Sequence, residues 1–101
     1  MPILKANSLA YFDSFSGLIP CKVICINGPS GRASSEQKVM VRLTANRRGY
    51  KKGEVLTEWA LHVVPRDAVY FRDHSARIGS YLVEGDQEYN EGVADTERIR
   101  Q

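Results

Sequence analysis

Period-two alternation of apolar and polar positions is the dominant pattern in this chain. From Lys38 to Asn46, Val39, Val41, Leu43 and Ala45 alternate with Lys38, Met40, Arg42 and Thr44, the mark of a strand with one face on a core and the other in water. From Glu54 to Val64, Val55, Thr57, Trp59, Leu61 and Val63 fall on one side and Glu54, Glu58 and His62 on the other. The two segments are predicted to pair as an antiparallel hairpin with Trp59 on the core face. Matching core face to core face selects a register that sets Val41 opposite Trp59 and Arg42 opposite Glu58. An opposite-charge cross-strand pair contributes roughly 0.2 to 1 kcal/mol, so Arg42 is expected to serve the sheet before any ligand.

The remaining segments read as further strands and turns. Ile19 to Ile26 is a nearly continuous apolar run ended by Asn27-Gly28-Pro29, the pattern of a central strand. Asn27 to Gln37 is rich in Gly and Ser and is expected to be a mobile surface loop. Leu9 to Phe15 brings Tyr11, Phe12 and Phe15 close together and reads either as a strand or as an irregular lid over the open end of the core. After Pro65, Ala68 to Arg72 and Arg77 to Glu84 are expected to be two short strands separated by Asp73-His74-Ser75. No helical period and no internal repeat is visible. The expected fold class is all-β, a small antiparallel five- or six-stranded barrel or half-open sandwich.

Length fixes the domain count. A chain of 101 residues buries roughly 60 to 68% of its unfolded surface, enough for one core. The net charge of +2 conceals an asymmetry: up to Val83 there are twelve Lys and Arg against six Asp and Glu, and from Glu84 onward six acids stand against Arg98 and Arg100. Residues 1–83 are therefore expected to form the barrel domain and residues 84–101 an acidic, flexible tail whose few large apolar residues anchor it poorly. No apolar run reaches the roughly 18 residues of a membrane helix, and Met1 to Lys5 lacks the layout of a signal peptide, so the expected location is cytoplasmic, with no membrane partner. The pattern specifies no oligomeric state.

Candidate chemistry concentrates in one loop. Arg47-Arg48-Gly49-Tyr50-Lys51-Lys52-Gly53 holds four cations and no acid. Cations projecting from a hairpin tip neutralise phosphates, Tyr50 offers a face for base stacking, and glycines let backbone approach a ligand closely. Arg47, Arg48, Tyr50, Lys51 and Lys52 are thus the candidate nucleic-acid-binding residues, with Arg32 and Lys22 widening the patch. The alternative for the same loop is a solvated turn whose charges discourage edge aggregation.

Other constellations fall short of a site. Cys21 and Cys25, four apart in one strand, lie about 13 Å apart at roughly 3.3 Å per residue, too far for a disulfide or for joint metal ligation, and are expected to be two small buried thiols. Asp73-His74-Ser75 has the residue types of a nucleophilic triad, but adjacent residues cannot each orient the next. His62 falls on the wet side of its strand. Gly28-Pro29-Ser30-Gly31-Arg32 lacks both the spacing of a phosphate-binding loop and a following helix. No catalytic residue, metal site or cofactor is expected, and the chain is read as non-enzymatic.

Lys51-Lys52-Gly53-Glu54-Val55-Leu56, followed by Val63-Val64-Pro65-Arg66-Asp67-Ala68-Val69, resembles the Lys-Gly-Glu/Asp turn and Val-Pro-x-x-x-Val corner of SH3-like small barrels. In that fold the proline opens a 3₁₀ turn joining the last two strands, a role suited to its fixed φ and missing donor. The resemblance covers about a third of the chain. SH3 domains that bind proline-rich peptides use paired tryptophans and an acidic loop, whereas this chain has one tryptophan and a basic loop, so no peptide-groove residues are carried over. KOW and Tudor-type small barrels share the architecture and often bind RNA, ribosomes or polymerase. The resemblance therefore implies a binding module. The expected partner is nucleic acid or a nucleoprotein; the alternative is a protein, with the chain as a small accessory or phage-type module docking through a strand edge or its aromatic N-terminal segment.

Overall fold

The structure, a computed structural model, describes residues 2–14, 17–71 and 81–88. Among these the chain is all-β: β1 (Ile3–Leu4), β2 (Leu9–Ser14), β3 (Gly17–Asn27), β4 (Gly31–Arg32), β5 (Lys38–Leu43), β6 (Val55–Trp59), a 3₁₀ turn (Ala60–His62), β7 (Val63–Pro65), a second 3₁₀ segment (Arg66–Phe71) and β8 (Leu82–Val83). Five strands form an antiparallel sheet in the order β6-β5-β3-β2-β7, and three form a small sheet in the order β1-β8-β4. In the larger sheet β2, β3, β5 and β6 follow one another as a meander. The 3₁₀ turn then returns the chain so that β7 pairs with β2, Phe12 opposite Val63. Of the aromatic segment of ambiguous reading, Leu9–Ser14 is thus a strand between β3 and β7, and Phe15 lies outside the described residues.

Strand β3 is central, as its apolar run predicts, and two irregularities explain its sequence. Pro20 is tolerated inside the sheet because the ladder to β5 begins one residue later, at Cys21 opposite Leu43, while the Pro20 carbonyl still accepts from Thr44 N at 2.9 Å. Val23 pairs with Val41 but Cys25 pairs with Met40, leaving Ile24 as the extra residue of a bulge. The bulge reverses the parity of the strand. Ile19, Cys21 and Val23 face the core before it and Ile26 after it, all buried, and Cys25 is left half-buried on the other side. The expectation of two buried thiols thus holds for Cys21 alone; neither cysteine is in a disulfide.

The β5–β6 hairpin forms, but in a different register from the one expected. Val41 lies opposite Leu56, Arg42 opposite Val55 and Lys38 opposite Trp59. Arg42 is therefore not paired with Glu58, and Trp59 is not a core residue: it is 41% exposed. The loop sets this register. Two β-turns stand back to back, Arg47 to Tyr50 closed by Arg47 N to Tyr50 O (3.0 Å) and Tyr50 N to Arg47 O (2.8 Å), and Lys51 to Glu54 closed by Glu54 N to Lys51 O (3.1 Å). Each has glycine in its third position at positive φ, 73° at Gly49 and 92° at Gly53, where a side chain would be strained. Together they deliver Glu54 to Leu43, whose N–H donates to Glu54 O at 2.9 Å. The expected long strand to Val64 is broken at Ala60–His62, and that 3₁₀ turn resets the parity, so Ala60 and Val63 are both buried although Trp59 is not.

The smaller sheet closes the core from the other side. Tyr81, the largest fully buried side chain, donates its hydroxyl to Ala60 O at 2.6 Å, tying the residues before β8 to the 3₁₀ turn. The segment Asn27–Gln37, expected to be mobile, is pinned by Gln37, which is 2% exposed. Its Oε1 accepts from Ser34 N (2.9 Å) and Ser34 Oγ (3.1 Å), and its Nε2 donates to Pro29 O (3.1 Å) and Arg32 O (3.0 Å). All of its amide capacity toward this loop is used, which is what allows a polar side chain to be buried there.

Downstream of Pro65 the expected strand from Ala68 is instead the 3₁₀ segment Arg66–Phe71. A 3₁₀ segment does follow the proline, but the turn that joins the last two strands of the sheet is the earlier one at Ala60. Of the expected strand Arg77–Glu84, residues 81–84 are described and Leu82–Val83 are strand; residues 72–80, with Asp73-His74-Ser75, lie outside the described residues. The acidic segment from Glu84 begins docked: Gln87 exchanges backbone hydrogen bonds with Ile26 (2.6 and 2.9 Å), Gly28 N donates to Asp86 Oδ1 (3.0 Å) and Gly85 N to Ser30 Oγ (3.0 Å). Residues 89–101 lie outside the described residues.

Candidate nucleic-acid interface

The loop between β5 and β6 is a stapled platform. Beyond the two turns, Asn46 Oδ1 accepts from Lys52 N at 2.8 Å and the Glu54 carboxylate accepts from Lys51 N at 3.2 Å. These bonds satisfy backbone donors, so the turn residues are held by main-chain geometry and their side chains are released to solvent. Arg47, Arg48, Lys51 and Lys52 are all exposed. Arg47 donates to the Asn46 carbonyl at 2.7 Å, and among the described residues none of the four is held in an ion pair. Four cations on one tip outnumber the single Glu54 carboxylate bonded beside them, and form a positive site whose strength depends on ionic strength.

Tyr50 stands apart from these four. It is half-buried, packed against the core, with its ring edge-on to Phe12 at 5.7 Å between centroids and 83° between planes. Such a contact contributes about 0.5 to 1.5 kcal/mol beyond area burial, and it makes Tyr50 the anchor that fastens the loop to β2. The ring lines a groove of about 360 Å³ with Phe12, Asp13, Ser14, Glu58 and His62. His62 is exposed, but in the 3₁₀ turn Ala60–His62 and not on the wet side of a strand as expected. Among the described residues no three His, Cys, Asp or Glu side chains converge on a point that could hold a metal ion.

Of the residues expected to widen the patch, Lys22 lies beside Arg42 on the outer face of the large sheet, while Arg32 sits in β4 of the small one. Lys22 and Arg32 are therefore not brought together. Arg42, assigned to an ion pair by pattern, is instead exposed on the outer face, as is Lys38, four residues along the same strand. Lys38 Nζ sits 4.9 Å from the centroid of the Trp59 ring. On the same face Arg66 stacks on Tyr11 at 4.6 Å and donates from Nε to Ala10 O at 2.8 Å. Pattern reading missed Lys38 and Trp59 because it placed the ring indoors.

Burial disfavours the thiolate form of both cysteines. Burial pushes the Cys21 thiol up to about 12, against smaller lowering effects from Arg66 and the Phe12 backbone. Cys25 is also raised, first by burial and then by Glu88. The shift is large for Cys21, whose thiol is thereby disfavoured as the reactive thiolate. Among the described residues no helix is long and apolar enough to cross a membrane. No protein-family model, curated protein or solved structure matches this chain.

Proposed function

We propose that this chain is a non-enzymatic binding module that holds nucleic acid, free or within a ribonucleoprotein, through the β5–β6 loop. The observation that carries the reading is the set of four exposed cations, Arg47, Arg48, Lys51 and Lys52, on a tip stapled by two β-turns with no ion pair among the described residues. A rigid tip loses little conformational entropy when it meets a polyanion, and each neutralised phosphate releases a counterion. The SH3-like, KOW or Tudor-type reading of the barrel is supported by the meander of four strands followed by a 3₁₀ turn and a fifth strand returned to the first.

The salt dependence of duplex binding tests this. Four phosphate contacts, each worth about 0.9 in the log–log slope, predict a slope near −3.6. Replacing all four cations by Gln should remove most of it. A wild-type slope near zero, or one untouched by the quadruple substitution, refutes the proposal.

A second reading, docking on a protein, draws on the outer edge of β6, unpaired among the described residues, where Val55 is 45% and Trp59 41% exposed. An unpaired edge of this kind accepts an added strand. Purification without nuclease separates the two: absorbance ratio and mass spectrometry show whether nucleic acid or a protein travels with the chain.

A further inference from the structure

The outer face of the large sheet continues the positive loop. Burial along β5 alternates, with Val39, Val41 and Leu43 inward and Lys38 and Arg42 exposed. Register places Val55 beside Arg42 and Trp59 beside Lys38. Arg42 is the last outward residue of β5, so the cations of the tip, Arg42 and then Lys38 follow one another along the sheet, with Lys38 about 13 Å from Arg42 at roughly 3.3 Å per residue. At the far end of that track stands Trp59, the one tryptophan of the chain. A recess of about 260 Å³ opens beside it, lined by Lys38, Thr57, Glu58 and Trp59.

A half-exposed indole flanked by cations on an open sheet has the components of a stacking platform: a π-face for a base and charges for the phosphates beside it. Duplex nucleic acid cannot use it, because its bases are stacked on one another. Resting on the nucleic-acid reading above, we infer that the physiological ligand is single-stranded, running from the Arg47 to Lys52 tip past Arg42 and Lys38 with one base stacked on Trp59. The Lys38 ammonium now over the ring is an exposed cation–π contact, weaker than base stacking, and a base that displaces it frees Lys38 for phosphate. Glu58 is the one acid lining the recess among the described residues, and it repels the strand there. Charge complementarity favours this occupant over an apolar protein strand, which would bury Lys38 and Arg42 beside it.

The test uses the full chain and a fluorescein-labelled oligothymidylate of about 12 nucleotides, within the site size of such platforms. Anisotropy reports binding, and the emission of Trp59 reports contact with the sheet. Binding should quench Trp59, with a salt slope near −4.2, from six cations at about 0.7 each, against about −2.8 for the loop alone. Trp59→Ala should weaken oligothymidylate binding roughly 5- to 150-fold and leave binding of a duplex of equal length unchanged. Lys38→Gln should lower the slope by about 0.7, and Glu58→Gln should tighten binding. If anisotropy rises while Trp59 emission stays constant and Trp59→Ala binds normally, the loop reading stands and this one is overturned. If neither strand form binds, both fall. A blue shift of Trp59 with protein concentration alone would mean that the β6 edge pairs with a second copy, and would overturn the platform.

Discussion

Replacing Gln37 by Leu probes the residue that positions both the connecting loop and the junction of β5 with the end of β6. The side chain makes four hydrogen bonds, two accepted from Ser34 and two donated to the carbonyls of Pro29 and Arg32, while its own carbonyl accepts from Ala60 N at 3.0 Å and so holds the start of β5 against the end of β6. Leu has a similar volume and leaves no cavity, so the effect isolates the polar partners. A net value of about 1 kcal/mol per bond gives an upper figure of about 4 kcal/mol. Pro29 and Arg32 are exposed and rehydrate in part, and the apolar side chain gains some burial energy, which brings the expected loss to about 2 to 3 kcal/mol. Urea unfolding followed by far-ultraviolet circular dichroism measures it as a lower midpoint at unchanged slope. Amides of residues 28–37 should also exchange faster than those of β3. A loss below about 1 kcal/mol would refute the view that this amide organises the loop.

Other perturbations read different parts of the structure. Gly85→Ala should release the docked segment, since a Cβ there would fall on the backbone of Gly28 and Pro29; faster exchange of the Gln87 amide, which donates to Ile26 O at 2.9 Å, checks it. Tyr81→Phe removes the buried hydroxyl bond to Ala60 O and should cost about 1 to 2 kcal/mol in denaturant unfolding; an unchanged midpoint would contradict that bond. Cys21 binds its proton more tightly folded, at about 12 against 9.0. Its contribution to stability is therefore complete below about pH 9 and is lost as pH rises toward 12, at up to about 1.4 kcal/mol per pH unit. Cys21→Ala should flatten the decline relative to wild type, and identical pH profiles would exclude the effect. Native thiol titration at pH 8 should find Cys21 unreactive until the protein unfolds.

How far the chain could be read in advance depended on whether alternation alone fixed the geometry. Strand β5 was legible because Val39, Val41 and Leu43 alternate cleanly with charged or long polar-edged neighbours, and the sheet agrees. Strand β3 was legible as central, but its bulge at Ile24 was not, since a run of apolar residues looks the same whether a strand is buried on both faces or changes parity midway. The hairpin was legible and its register was not. Counting apolar residues over 54–64 favours the side with Val55, Trp59, Leu61 and Val63, yet the strand stops at Trp59, and residues beyond a 3₁₀ turn say nothing about its face. The glycines carried the missing signal: Gly49 and Gly53, four apart, mark two successive turns. The four loop cations needed no such detail, because a charged tip is exposed in either register. Tyr50 did, and its contact with Phe12 joins residues too distant in sequence for pattern to pair.

The three-residue difference in register, an odd number that turns β6 over, changes what the fold can do. With Trp59 inward, the large sheet would offer water a face of charged and small polar groups, and function would rest on the loop alone. With Trp59 outward, β6 has little core to hold it: Leu56 is its apolar contact with the interior, and Val55, Thr57 and Trp59 are exposed. Local pairing to β5 and the two turns must then do most of the holding. A strand so placed is poorly accounted for by burial, since an exposed indole forgoes the hydrophobic gain its area would bring inside. Such a residue beside Lys38 and in line with Arg42 is better accounted for by what it can meet from solution. On the proposed reading the loop and the sheet face act as one surface, with charge setting the approach and the indole selecting the single-stranded form.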